Sequence, residues 1–114
     1  MKNEIRKTNK ILDELCSLLM DKGSTEIDIK LKLSDICTII YVTDYNTNLT
    51  QEEINALSKF LNIPRQPEVE EYYWGLMGES NNDDEMFLLG SMLDTAKFDL
   101  KDGNLYVELI RSLK

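Results

Sequence analysis

Histidine is absent from the chain. That absence removes imidazole metal ligands, Ser-His and Cys-His nucleophile activation, and a phospho-accepting imidazole. Cysteine is scarce: Cys16 and Cys37 form no CxxC pair, and each falls inside an apolar repeat. Reduced, buried thiols in a cytosolic compartment are expected, with a bridge between the two left open. No apolar run approaches the roughly 20 residues needed to span a bilayer. Residues 1–10 carry four basic side chains but lead into Asp13 and Glu14, so the uninterrupted apolar core of a signal peptide is missing. The most uneven shortage is of positive charge. Between Arg65 and Lys97 there is no basic residue, against eight acidic ones: Glu68, Glu70, Glu71, Glu79, Asp83, Asp84, Glu85 and Asp94. The net charge of -8 resides in that window, since the other segments balance thirteen against thirteen. Such a field repels nucleic-acid phosphate and anionic membrane and attracts basic surfaces over a Debye length of about 10 Å. A protein partner with a basic or neutral surface is expected, with no nucleic acid and no membrane.

What is present points to one domain over residues 1–114. A chain of this length with 42% hydrophobic residues buries roughly two-thirds of its unfolded surface and needs no staple. Ile5, Leu12, Leu15, Cys16, Leu18 and Leu19 recur near helical spacing, and Gly23 follows as a left-handed cap, so a helix over Lys2–Asp21 is expected. From Glu26 the period changes to two. Ile27, Ile29, Leu31 and Leu33 alternate with Glu26, Asp28, Lys30 and Lys32 in a strand with one wet face. A second strand over 36–44 follows. A two-residue turn at Ser34-Asp35 would set Leu33 opposite Ile36, Ile29 opposite Ile40 and Ile27 opposite Val42, presenting both strands to one core. Cys37, Ile39 and Tyr41 then face the other way. A turn one residue longer would invert that assignment.

Thr50 with Glu53 forms a capping box, and Leu49 with Ile54 the hydrophobic staple beside it. The helix they open carries Ile54, Leu57 and Leu61 on its apolar stripe, and Asn62 and Pro64 stop it. Pro67 opens a further helix with Glu68, Glu70 and Glu71 at its start, where the macrodipole favours carboxylates, and Val69, Tyr73, Leu76 and Met77 buried. Gly78 ends it. Residues 79–85 form a polar loop, Asn82 caps a last helix, and Met86, Leu89 and Leu93 line that helix. Asp102-Gly103 signals a type I′ hairpin pairing Ala96 with Leu109, Phe98 with Val107 and Leu100 with Leu105, and Lys97 with Glu108 by charge. The order gives an α+β two-layer sandwich: a four-stranded mixed or antiparallel sheet with its helices on one face.

Three pieces resemble the ATPase domain shared by gyrase, the heat-shock chaperone, histidine kinases and MutL, most closely its anti-sigma-factor kinase branch. The stretch Glu14-Leu-Cys-Ser-Leu-Leu-Met-Asp-Lys-Gly23 is similar to the family helix holding a glutamate and, four residues on, a magnesium-binding asparagine; Leu18 stands in that second place. Val42-Thr-Asp44-Tyr-Asn-Thr-Asn, followed by Leu49-Thr-Gln-Glu-Glu, resembles the strand-end aspartate that binds adenine and the helix after it, without the family's glycines. Residues 86–94 with the closing hairpin resemble the terminal helix and strands. The resemblance spans 9–111. It implies a histidine-kinase-like ATPase fold, with Glu14 and Asp44 as the nucleotide-facing residues. Where phosphate-cradling glycines would stand, the chain has Asp83, Asp84 and Glu85. Two unit charges 4 Å apart at an effective dielectric near 20 repel by about 4 kcal/mol, which opposes a triphosphate.

The expected function is therefore a non-catalytic, cytoplasmic protein-interaction or regulatory module of this fold, with no cofactor and no metal. The alternative is an active nucleotide-binding ATPase or serine kinase using the same pocket. The acidic loop lacks the glycine and terminal glutamate of a calcium loop. Tyr72, Tyr73 and Trp74 cannot all be buried on one helix face. Glu70, Glu71, Tyr72, Trp74, Asp83, Asp84 and Glu85 form the expected partner surface, where charge steers and aromatics supply contact area. Ile39 and Tyr41 offer a second patch, and either surface would serve as a homodimer seam. Trp74→Ala is expected to weaken partner capture in a pull-down while leaving the circular dichroism spectrum unchanged.

Overall fold

The first helix is closed at its C-terminal end by a local device, and the sheet is built from two hairpins placed side by side. The computed structural model describes residues 2–62 and 89–113. Helix α1 spans Lys2–Asp21 and is followed by β1 (Ile27–Leu33), β2 (Cys37–Asp44), α2 (Gln51–Leu61), β3 (Thr95–Lys101) and β4 (Asn104–Ser112). All three strand pairings are antiparallel, in the order β1-β2-β4-β3. The fold is thus α+β around an antiparallel sheet. The helix expected after Pro67, its aromatic triplet, the loop at 79–85 and the start of the helix through Met86 lie outside the described residues. Residues 89–91 are helical.

Gly23, at φ +92°, closes α1. The Gly23 N–H donates to the Met20 carbonyl and the Ser24 N–H to that of Leu19, both at 3.0 Å, the two bonds of a Schellman cap. At α2, Thr50 Oγ1 accepts from the Glu53 N–H while Glu53 Oε1 accepts from the Thr50 N–H, completing the capping box. In the second hairpin Asp102 (φ +55°) and Gly103 (φ +83°) adopt the left-handed turn. The expected pairs Ala96–Leu109, Phe98–Val107 and Leu100–Leu105 follow, with Lys97 and Glu108 at 3.8 Å.

The first hairpin departs from expectation. Leu33 pairs with Thr38, Leu31 with Ile40, Ile29 with Val42 and Ile27 with Asp44, because Asp35-Ile36, not Ser34-Asp35, form the turn. Ser34 causes the displacement. Its hydroxyl accepts from the N–H groups of Ile36 and Cys37 and donates to the Cys37 carbonyl, a role a serine plays at the first position of a turn. The slip is two residues, so every side chain keeps its expected face.

One cluster holds the core: Ile11, Leu15 and Leu19 of α1, Ile54 and Leu61 of α2, Leu89, Met92 and Leu93, and the inward residues Ile40, Val42, Ala96, Leu105, Val107 and Leu109 of the sheet. The line through α1 is Ile11-Leu15-Leu19, so Ile5 is exposed instead of buried. β1 is also corrected. Ile29, Leu31 and Leu33 lie on the core face yet are 46%, 39% and 69% exposed, and β1 is one of the two edge strands. Cys16 and Cys37 are free and only half-buried.

Arg111, 2% exposed, continues the inward face of β4 beyond Leu109. Its Nε and Nη2 donate to the two carboxylate oxygens of Glu4 at 2.9 Å each, and its Nη1 to the Met92 carbonyl at 2.9 Å. A forked pair of this kind fixes geometry as well as charge. Removing one partner of a buried pair leaves the other charge uncompensated. Glu4→Ala is therefore expected to destabilise the fold by about 3 kcal/mol in urea titrations, far more than Asp13→Ala at an exposed position of the same helix.

Candidate functional site

Asp44 ends β2 on its covered face. The alternation along Cys37–Asp44 buries every second side chain, and the last of these inward positions carries a carboxylate. It is 0% exposed, and neither of its oxygens has a hydrogen-bond partner. Its ladder neighbours are Ile27 on β1 and Leu105 on β4, which supply no polar atom from their side chains. An aspartate at a strand end ordinarily accepts from the turn that follows it. Asp44 does not, and the turn satisfies itself by other means.

Those means bring three elements to this end of the sheet. Asn46, at φ +53°, donates its N–H to the Asn104 side-chain oxygen, and the Thr47 N–H donates to the Gly103 carbonyl, both at 2.9 Å. The loop after Asp44 is thereby pinned to the β3-β4 hairpin. Asn48 Nδ2 donates to the Lys22 carbonyl at 3.0 Å, joining the loop to the end of α1. A Cβ at Gly23 would stand 2.8 Å from that Asn48 nitrogen, so glycine is needed there for close approach as well as for its φ. Lys22 then reaches Glu53 at 2.7 Å, tying α1 to the first turn of α2.

The sequence-expected residues separate at this point. Glu14, the other nucleotide-facing candidate, is paired with Lys10 at 3.5 Å and is mostly covered. Its carboxylate is engaged on its own helix, whereas that of Asp44 is not. Glu70, Glu71, Tyr72, Trp74, Asp83, Asp84 and Glu85 lie outside the described residues. Ile39 and Tyr41 occupy the opposite sheet face as expected, half-buried, with Ile110 opposite Ile39 and Glu108 opposite Tyr41 on β4. Burial pushes the Cys16 thiol up from its usual value, which disfavours the reactive thiolate. Sequence reasoning missed Arg111 and the second role of Asn62, whose side chain pairs with both the N–H and the carbonyl of Ala96 at 2.9 and 2.7 Å. An arginine continuing the apolar alternation of Leu105, Val107 and Leu109 was the available signal for the first; nothing local announced the second. Among the described residues, no group of three side chains could hold a metal ion, and no helix is long and apolar enough to cross a membrane. No protein-family model and no curated protein matches the chain.

The Lys22 ammonium and, after it, the Thr50 N–H hold the Glu53 carboxyl below its ordinary value of 4.5. A lowered folded-state value gives stability that is complete above the ordinary value and is lost as pH falls through the lowered one. Thermal melting from pH 6 downward should therefore show a steeper acid loss below about pH 4.5 in the wild type than in Glu53→Gln.

Proposed function

We propose that this chain is a non-catalytic regulatory module of the histidine-kinase-like ATPase type, in which Asp44 receives an amino-substituted heteroaromatic base of the adenine class. The observation that carries the reading is the bare, fully covered carboxylate. Holding a carboxyl group out of water without a hydrogen-bond partner costs free energy, and an unpartnered buried polar group in a folded protein calls for an explanation such as a bound species that supplies the partner. The exocyclic amino group of a base is a donor of that kind. Asp44 also stands at the strand end where the resembled family places its base-reading aspartate, and the segment after it lacks that family's glycines.

Chemistry on phosphate is not supported by the residues. Tyr45-Asn46-Thr47-Asn48 stands where the resembled family has a glycine turn, Leu18 where it has the magnesium-binding asparagine, and Asp83, Asp84 and Glu85 fall in the sequence where it has phosphate-cradling glycines. The acidic window instead suits a basic or neutral protein surface, which makes base occupancy a signal and that surface its reader.

Melting of the full chain with adenosine and with magnesium-ATP tests the reading. A ligand at 100 times its dissociation constant stabilises by about 2.7 kcal/mol, or about 10 °C for a domain of this size. Adenosine is expected to raise the midpoint. Asp44→Asn is expected to melt higher than the wild type without ligand and to weaken the adenosine response, since the amide carries no charge and puts a donor in place of one of the two acceptor oxygens. No shift with either ligand, combined with a lower midpoint for Asp44→Asn, would overturn the site. A larger shift with magnesium-ATP than with adenosine would favour the active ATPase.

A further inference from the structure

The two edges of the sheet are treated differently. On β3, closure of the hairpin at Lys101 and Asn104 turns the backbone groups of alternate residues outward, and Ala96 is one of these. The Asn62 amide occupies both its N–H and its carbonyl. β1 has no such guard among the described residues. The bonds flanking its ladder, Ser34 N–H to the Cys37 carbonyl and Tyr45 N–H to the Glu26 carbonyl, show that even-numbered residues bond inward to β2. In an antiparallel ladder the intervening residues then turn their N–H and carbonyl groups away. Ile27, Ile29, Leu31 and Leu33 thus present a row of backbone donors and acceptors on the open edge, above apolar side chains of which three are exposed. An exposed edge of this length is a pairing template unless blunted by charge, proline or a bulge.

Charge is present on β1, but arranged in halves. The wet face reads Glu26, Asp28, Lys30, Lys32 in order, two negative then two positive. Neither lysine has a carboxylate across the ladder, where Tyr41 and Ile39 stand. Asp28 accepts from the Tyr45 hydroxyl at 2.7 Å, which holds its carboxylate on this face. We infer that β1 pairs with β1 of a second copy of this chain, antiparallel about Ile29, making one continuous eight-stranded sheet across a twofold axis.

That register is selected by the pattern. Centred on Ile29, Asp28 meets Lys30 of the second copy and Glu26 meets its Lys32, and both contacts recur through the symmetry. All four are opposite-sign, and they fall at the non-hydrogen-bonded sites where side chains approach closest. Centring on Lys30 would oppose lysine to lysine, and centring on Asp28 aspartate to aspartate. An odd shift would turn the apolar face of one copy to the wet face of the other. Backbone parity agrees: Ile29 meets Ile29, and Ile27 meets Leu31, with outward groups on both sides.

Sedimentation equilibrium of the full chain, with circular dichroism as the check on folding, tests the interface. The wild type should be a dimer. The exposed-site variants Glu26→Lys/Asp28→Lys and Lys30→Glu/Lys32→Glu, each of one sign along the strand, should dissociate at least about tenfold more readily alone and form a one-to-one heterodimer when mixed. The fourfold exchange of all these charges, which reverses the pattern but keeps it self-complementary, should restore the homodimer. A monomeric wild type, single-sign variants that dimerise as the wild type does, or a mixture that stays monomeric would each overturn the proposal.

Discussion

The forked pair between Arg111 and Glu4 closes the structure on itself. It joins the first turn of α1 to the last residues of β4 across 107 positions of sequence, and the third guanidinium bond catches the Met92 carbonyl as the chain leaves the 89–91 turn. Beside it, Asp94 accepts from the Ser112 N–H, and the Asp94 N–H donates to the Ile110 carbonyl. Three segments remote in sequence are therefore set by one side chain. β4 is central in space and last in sequence, so the β1-β2 hairpin cannot find its inner neighbour, nor α1 its anchor, until the C-terminal hairpin is in place. The cost of holding a guanidinium out of water is offset only because all three of its donor nitrogens find acceptors.

Devices whose partners lie within a few residues were readable from the sequence. Thr50 with Glu53, Gly23 after Asp21, and Asp102-Gly103 each satisfy backbone groups locally, so residue type and spacing suffice. The first hairpin shows the limit of this logic. Ser34 and Asp35 both favour turns, and period-two alternation is unchanged by a two-residue slip, so hydropathy could not choose between the registers. Ser34 chose by capturing the N–H groups of Ile36 and Cys37. Longer-range properties left no trace in spacing. That β1 is an outer strand, and its apolar face largely uncovered, depends on where the helices lie. Asn62 reads locally as a helix stop, which it is, with its amide donating to the Ser58 carbonyl; its bonds to Ala96 appear only once β3 is beside it. Asp44 was legible as a strand-end carboxylate, but its isolation from every donor required the fold.

Edges and buried charges are the two places where this sequence breaks rules that the rest of it obeys. A protein can blunt an exposed strand with one proline or an inward lysine, and β1 has neither. It can leave a core position apolar, as Ile40 and Val42 are, yet Asp44 continues the same row. Where local choices otherwise agree with the fold, such departures mark positions kept for something other than stability. They differ in kind. β1 offers matched donors and acceptors in a self-complementary order, which suits another strand. Asp44 offers acceptors alone, which suits a species rich in donors.

The surroundings of Asp44 determine what its occupancy would affect. Loop 45–49 is held on one side by the hairpin tip, through Asn104 and Gly103, and on the other by the end of α1, through Asn48 and Lys22. Lys22 in turn holds Glu53, the residue that closes the α2 capping box. A donor inserted at Asp44 therefore acts on a loop tied to several other elements, and a displacement of that loop must be shared by α1, α2 and the hairpin. Close-packed elements of this kind respond by shifting between discrete arrangements more readily than by bending. Ile27 is both the ladder neighbour of Asp44 and the start of the open β1 edge. Base recognition at the strand end and pairing at the strand edge would then share a residue, and linkage requires that whatever each does to the position of β1 is felt equally by the other.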